Sequence, residues 1–291
     1  MEIINAIMYF AFIPRQTPIF AELKKPFILG HQGAEDLAPT NTMAAFDLAD
    51  SLDVDFLDTD INMTKDGYLV TIHDNTVDRT TNGHGRVDSF TLAELQKLDA
   101  GYSFKDLQGN YSYRGKGIII PTLEEVLSKY AATHYFNIEI KEAYPKNGPS
   151  QIEGKLWDLL KKYHLEKKTI VNSFHQELLD HFNQLSGGQV PLGAGTAEVA
   201  KFVFLHKAAL FGFYHPDSQV LEIPYESSES YGISLIDRGL IEEAHRLGMQ
   251  VYYWTVNDKP TMKMLLELGA DGLITSRPDL MKEVLHEMNL K

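Results

Sequence analysis

Short apolar runs alternate along this chain with longer amphipathic stretches, and that rhythm constrains the fold more than any other feature. The apolar runs predict strands at 27–30, 54–61, 68–73, 135–140, 169–173, 190–193, 250–255 and 272–275, with 231–235 as a ninth candidate. The amphipathic stretches predict helices at 42–52, 122–130, 151–163, 176–185, 238–247, 259–268 and 278–288. Strands separated by helix-length segments argue for a mostly parallel sheet with helices packed outside it. Eight or so strands in this rhythm predict an α/β fold, a distorted (β/α)8 TIM barrel. The 291 residues suit such a barrel of roughly 250 residues plus additions. A doubly wound open sheet is the alternative, but it usually carries a glycine-rich first turn, which is missing here.

Two places break the rhythm. Between 61 and 68 there is no room for a crossover helix, which takes a dozen or more residues. Lys65-Asp66-Gly67 reads instead as a tight turn joining two strands of a local hairpin. Residues 75–118 are rich in Gly, Asp, Ser and Tyr, with one short helical stretch near 91–98. They are expected to form a small insertion after the third strand, folded over the barrel mouth. The division is therefore an apolar segment over 1–24 and a barrel over 25–291.

Residues 3–13 are apolar apart from Asn5. They are about half the length needed to span a bilayer, and Glu2 stands where a secretory signal carries positive charge. Three readings stay open: a helix docked on the barrel or on a second subunit, making a homo-oligomer; shallow peripheral insertion into a membrane; or the remnant of a targeting segment. With no recognisable signal, the cytoplasm is the default compartment. The net charge of −13 excludes a nucleic-acid partner gripped through its phosphates, because no surplus of Lys and Arg is available to displace counterions. An anionic small-molecule substrate would need a local cation. The absence of cysteine excludes disulfides and thiolate metal sites.

His31 and His73 each end a predicted strand, and Asp58-Thr59-Asp60 lies between them. Alternate strand residues share a face, so Asp58 and Asp60 point to one spot. Neighbouring carboxylates repel unless a cation lies between them. A further strand places Asn137, Glu139 and Lys141 on one face, more polar groups than a barrel interior tolerates without a task. Two readings follow: Asp58, Asp60 and Glu139 hold a divalent metal, or they form an inward salt-bridge layer with Lys141. Three carboxylates and no cysteine favour Mg²⁺ or Ca²⁺ over zinc. Two histidines beside such an ion suit acid–base work on a phosphate ester. Trp254, ending another strand, is either core or a wall of the substrate pocket.

The ordered set of short motifs resembles the glycerophosphodiester phosphodiesterase family. The matching pieces are His31-Gln32-Gly33, Pro39-Thr40-Asn41-Thr42 with Ala45-Phe46, Asp58-Thr59-Asp60, Thr64-Lys65-Asp66-Gly67, His73-Asp74 and Arg79-Thr80-Thr81-Asn82-Gly83. Pro121-Thr122-Leu123, Glu139-Ile140-Lys141, Ser173-Phe174-His175, Trp254-Thr255-Val256-Asn257-Asp258 and Gly269-Ala270-Asp271-Gly272-Leu273-Ile274-Thr275 continue them. Each piece is weak alone; in this order they are specific. The resemblance implies metal-dependent splitting of small glycerophosphodiesters into glycerol 3-phosphate and an alcohol. It implies His31 and His73 as the acid–base pair, Asp58, Asp60 and Glu139 as metal ligands, and Lys141 beside the phosphate. His31 is expected to act as base and His73 as acid. Trp254 and the insertion are expected to shape the alcohol side.

Three positions depart from the family pattern. Gln32 stands where the family usually has Arg, Thr40 where it has Glu, and Asp58 where it has Glu. Loss of an Arg and a Glu together reads as removal of one ion pair. Gln32 still offers a donor to a phosphate oxygen, without the charge that roughly doubles such a bond. Gln32 and Thr40 motivate one alternative, a weak or silent barrel that only binds such diesters; a third reading, tied to the apolar N-terminal segment, is a related phosphodiesterase acting on phospholipid or teichoic-acid-type substrates.

Overall fold

The computed structural model describes residues 19–146 and 148–291. The apolar run at 3–13, with the readings attached to it, lies outside the described residues. The strands in chain order are β1 (Phe27–Gly30), β2 (Phe56–Met63), β3 (Leu69–Thr71), β4 (Tyr135–Ile140), β5 (Thr169–Asn172), β6 (Val220–Pro224), β7 (Gln250–Trp254) and β8 (Gly272–Thr275). The helices are α1 (Met43–Ser51), α2 (Leu92–Leu95), α3 (Leu123–Tyr130), α4 (Ile152–Lys162), α5 (Gln176–Ser186), α6 (Thr196–Lys207), α7 (Arg238–Arg246), α8 (Lys259–Leu268) and α9 (Pro278–Glu287).

Seven strands pair side by side in the order β5-β4-β2-β1-β8-β7-β6, and each adjacent pair is parallel. The gap between β5 and β6 is spanned by Leu192, bridged to Val171, and Gly193, bridged to Val220. This is the strand predicted at 190–193, reduced to two bridges. Pro191 has no N–H to give a ladder, although its carbonyl accepts from the Val171 N–H. With that segment the staves number eight, as a (β/α)8 barrel requires.

The expected hairpin is present. β3 runs antiparallel to β2, with Ile61 opposite Thr71 and Met63 opposite Leu69, and lies off the barrel path. Gly67 turns the chain at φ +88°, in the region that favours glycine. The predicted strand at 231–235 does not form. That segment follows a 3₁₀ turn over Ser227–Ser230 and begins at Tyr231 and Gly232, both at positive φ, which breaks an extended run. The strand lies earlier, at β6.

The insertion is also placed differently from expectation. Val77, Val87, Leu95 and Ala100 pack with Val70 and Ile72 into a satellite core beside the hairpin. Its apolar side chains find burial there, and no residue of 75–118 lines the cavity at the mouth.

Alternation within the staves sets the polarity of the barrel interior. At the strand starts, Phe27, Phe56, Tyr135, Val220 and Tyr252 form an apolar plug, closed from below by Phe20. Phe20 meets Phe56 and Tyr135 edge-on, with ring centroids 5.1 and 5.4 Å away, a favoured aromatic geometry. Two and four residues further along, the same faces carry Asp58 and Asp60, Asn137 and Glu139, and Glu222, all lining the cavity at the C-terminal mouth. The larger core lies between staves and helices. No described helix is long and apolar enough to cross a membrane.

Candidate active site

One cavity of about 560 Å³ opens at the C-terminal mouth, and His31, Asp58, Asp60, His73, Glu139, Lys141 and Trp254 all line it. Residues distant in sequence converge there: His31 and Lys141 lie just past β1 and β4, Trp254 ends β7, Asp58, Asp60 and Glu139 lie along β2 and β4, and His73 lies just past the hairpin strand β3, at the face where barrel enzymes place their chemistry.

Each polar group is held in place. Asp58 accepts from the Asn137 amide at 2.7 Å and from the Gln32 backbone N–H at 3.3 Å. Asp60 accepts from Asn41 at 2.9 Å, while the Asn41 carbonyl accepts from the Thr59 hydroxyl at 2.7 Å. Glu139 Oε1 lies 2.8 Å from Lys141 Nζ, and Asp60 Oδ1 lies 3.5 Å from the same ammonium. Lys141 also meets His73 Nε2 at 3.1 Å, and His73 Nδ1 meets Asp74 at 2.8 Å. Arg79 holds Asp74 through two bonds of 2.7 and 3.1 Å. On the other side, His31 Nδ1 lies 2.9 Å from Glu35 and 3.1 Å from the Ser276 hydroxyl.

The electrostatics follow from burial and crowding. Burial works against a charged His31, but the hydrogen bond to Glu35 and the charges of Asp58, Glu35 and Asp60 outweigh it and raise the imidazole to about 9. Burial, helped by Asp60 and opposed by His31, raises Asp58 to about 6. Burial and Asp60 lift Glu139 above the usual carboxylate range despite Lys141. Burial disfavours the Lys141 charge, yet Asp60 and Glu139 hold it raised.

Glu222 is the cavity carboxylate that sequence reasoning missed. It accepts from Asn137 at 3.3 Å and from Asn172 at 3.2 Å, and burial with Asp58 nearby pushes it to about 8. Its signal was the single acid in Val220-Leu221-Glu222-Ile223-Pro224, an apolar run otherwise suited to a stave. Glu35 and Asn41 were likewise unassigned; they place His31 and Asp60.

Gln32 differs from expectation. It is buried and does not line the cavity. Its amide accepts from the Thr40 hydroxyl and lies 3.3 Å from His31 Nε2. The two departures thus form one neutral hydrogen-bonded pair beside His31. Trp254 meets Phe174 edge-on at 6.2 Å and forms a wall of the cavity.

Among the described residues no three His, Asp or Glu side chains are drawn together as a ready metal cage. The donor chemistry nonetheless fits a hard cation. Four carboxylates (Asp58, Asp60, Glu139 and Glu222) face one cavity, and Lys141 bridges only two of them. The surplus of oxygen donors is the kind Mg²⁺ and Ca²⁺ prefer.

Residues 31–280 match the model of the glycerophosphoryl diester phosphodiesterase family. The chain belongs to that family. A glycerophosphodiester phosphodiesterase of Caldanaerobacter subterraneus is 34% identical over 259 residues, covering 88% of this chain and 96% of its own. The crystal structure of a glycerophosphodiester phosphodiesterase from Agrobacterium tumefaciens superposes with a TM-score of 0.70 at 27% identity, over 90% of this chain and all of that one. A phosphodiesterase of Oleispira antarctica, solved with its product sn-glycerol-3-phosphate, shares the fold with a TM-score of 0.68 at 23% identity, over 90% and 97% of the two chains. As a family member the protein is a phosphoric diester hydrolase on a TIM barrel.

Proposed function

We propose that this enzyme hydrolyses glycerophosphodiesters to glycerol 3-phosphate and an alcohol, with a divalent cation and the histidines His31 and His73. The observation that carries the reading is the convergence of both histidines, Lys141 and the carboxylates on one cavity at the barrel mouth. Mg²⁺ or Ca²⁺ held by Asp58, Asp60 and Glu139 would supply positive charge that offsets the phosphoryl charge.

Every other part is assigned to the chain's own groups. Lys141 offers its ammonium to a phosphate oxygen. The hydrogen bonds support an exchange of the histidine roles expected from sequence. Lys141 can only donate, so His73 Nε2 accepts from it while Nδ1 faces Asp74, and Nε2 serves as the base once the phosphate draws the ammonium away. It takes the proton of the attacking hydroxyl, either water, which gives glycerol 3-phosphate directly, or the glycerol 2-hydroxyl, which gives a cyclic phosphate that water then opens to glycerol 3-phosphate. His31, whose Nδ1 is held by Glu35, is assigned the proton that goes to the departing alcohol. Rotation of the Gln32 amide exchanges its oxygen and nitrogen beside His31 Nε2, so the neutral Gln32–Thr40 pair can follow that proton on and off.

A leaving-group comparison tests the assignment. On glycerophosphocholine, either His31→Ala or His73→Ala loses at least about 10²-fold in rate. On the p-nitrophenyl ester of glycerol 3-phosphate, whose alcohol leaves without a proton, His31→Ala recovers most of that loss and His73→Ala does not. The reverse pattern returns the base role to His31.

A further inference from the structure

The insertion reaches the site without lining it. Val77 is buried in the satellite core. Its N–H donates to the Gly85 carbonyl at 3.0 Å, and its carbonyl accepts from the Thr81 N–H at 3.1 Å and the Thr81 hydroxyl at 2.8 Å. The Thr81 hydroxyl in turn accepts from the Gly83 N–H at 2.9 Å. These bonds close a turn over 77–81 whose middle residue is Arg79. The guanidinium stands outside the cavity, and its side chain is half-exposed. An arginine in a surface ion pair ordinarily contributes little to stability, so its interest lies in what it holds.

Arg79 meets the two carboxylates that stand behind the two histidines. On one side its Nε and Nη2 donate to Asp74 at 2.7 and 3.1 Å, a bidentate fork, and Asp74 Oδ1 lies 2.8 Å from His73 Nδ1. On the other side its Nη1 lies 3.8 Å from Glu35 Oε1, while Glu35 Oε2 lies 2.9 Å from His31 Nδ1. One cation therefore links His31 to His73 through a chain of side chains. Burial works against the charge of Asp74, but the hydrogen bonds and charges of Arg79 and His73 outweigh it and hold that carboxyl below its ordinary value. Burial also works against Glu35, and the hydrogen bond from His31 with the charges of His31, Arg79 and His73 outweighs it in the same way. Both acids are kept as carboxylates, which only accept, so each imidazole turns its Nδ1 to its own acid and leaves Nε2 for the reaction.

We propose that Arg79 is a positioning residue that aligns both histidines at once, His73 through Asp74 and His31 through Glu35. The inference rests on the phosphodiesterase reading and deepens it, giving the insertion a part in the reaction without a place in the cavity. Proton uptake at one histidine and proton delivery at the other each need a heavy-atom approach of about 3 Å. A misplacement of about 1 Å, caused far from the chemistry, costs up to about 10²-fold in rate. The shape of the guanidinium matters as well as its charge. A lysine in its place supplies a cation beside both acids but cannot meet Asp74 through two parallel bonds while facing Glu35.

The test is a pair of double-mutant cycles on glycerophosphocholine, with kcat and KM measured separately. Arg79→Gln lowers kcat by about 10- to 10²-fold and leaves KM close to wild type, since the guanidinium stands outside the cavity. Arg79→Lys recovers part of that loss. Asp74→Asn and Glu35→Gln each lower kcat. Combining either with Arg79→Gln costs clearly less than the product of the two single losses, because groups that act as a unit are not additive. Arg114→Gln is the control for the fold of the insertion. That guanidinium stacks on Tyr111 and Tyr102, 3.5 and 4.2 Å from their ring centres, and its loss leaves kcat unchanged. Wild-type kcat in Arg79→Gln overturns the inference. So does full multiplication of the losses in either cycle, which would detach Arg79 from that histidine. A fall in Arg114→Gln as large as in Arg79→Gln overturns it too, by assigning the effect to the fold of the insertion. If the wild-type enzyme hydrolyses no diester, the phosphodiesterase reading itself fails, and the imidazole NMR signals of His31 and His73 are compared between wild type and Arg79→Gln. Movement of both upholds the inference; movement of one or of neither overturns it.

Discussion

Asp58, Asp60, Glu139 and Lys141 were legible in the sequence because strands impose a period of two, and a polar residue at every second place inside a barrel needs a reason. His31 and His73 were legible because each follows an apolar run at its C-terminal end. Glu222 was not, since one acid among four apolar residues carries no periodic signal; only the neighbours that donate to it, Asn137 and Asn172, reveal it. Gln32 and Thr40 were read as the loss of an ion pair, and the structure joins them by a hydrogen bond. That pairing predicts a specific non-additivity. Gln32→Arg alone buries an unpaired charge beside His31 and destabilises by roughly 3 kcal/mol. Adding Thr40→Glu restores most of the loss in thermal denaturation; equal stability of the single and double variants would show that the two positions do not act as a unit. Gly193→Ala makes a second case. A Cβ there would lie 1.5 Å from the Asn172 side-chain oxygen, so Asn172 must leave Asn137 and Glu222. The expected cost is about 1–3 kcal/mol of stability, from leaving buried groups unpaired, together with a fall in kcat. Wild-type turnover in Gly193→Ala would remove Asn172 from the support of the site.

At the scale of elements, the hairpin of β2 and β3 was legible because Lys65-Asp66-Gly67 left no room for a helix. Its turn delivers His73, the first residue but one after β3, to the mouth. Gly67→Ala forces a side chain into φ +88°, with an expected loss of about 1–2 kcal/mol. Chemical denaturation measures that loss directly, and a neutral result would mean the turn relaxes. Helix α6 and strand β6 were not legible, for opposite reasons. The helix serves the core with one face and the cavity with another, so its pattern blurs. The strand is five residues long and ends in Pro224, with Glu222 at its centre. The insertion was recognised by composition, but composition does not say where a segment docks. Its apolar residues join β3, so it buttresses the hairpin and leaves the roof of the cavity to α6 and the loop around Tyr231.

For the whole molecule, the rhythm of strands and helices was enough to name the barrel, while closure was not. Closure depends on two bridges at Leu192 and Gly193 and on charged ties at the N-terminal end. There Asp271 accepts from Lys25 and His245, each at 2.7 Å, and from the Val251 N–H at 2.8 Å, joining the approach to β1 with α7, β7 and β8. Burial alone would raise the Asp271 carboxyl, but the hydrogen bonds and charges of His245 and Lys25 outweigh it and hold it below its ordinary value. A carboxyl depressed in the folded state stabilises above its unfolded pKa of about 3.9 and loses that contribution as pH falls through the folded value. The melting temperature should therefore drop below about pH 4. Asp271→Asn should melt lower than wild type at pH 7 and lose less on acidification. A variant with the wild-type acid slope would place that slope elsewhere. The site's own claim is settled most directly by the release of glycerol 3-phosphate from glycerophosphocholine, measured for wild type, His31→Ala and His73→Ala with Mg²⁺ or Ca²⁺ and with both chelated. The account predicts release by wild type with metal, loss on chelation, and a fall of at least about 10²-fold in each variant; near-normal release by either variant, or by the chelated enzyme, would contradict it.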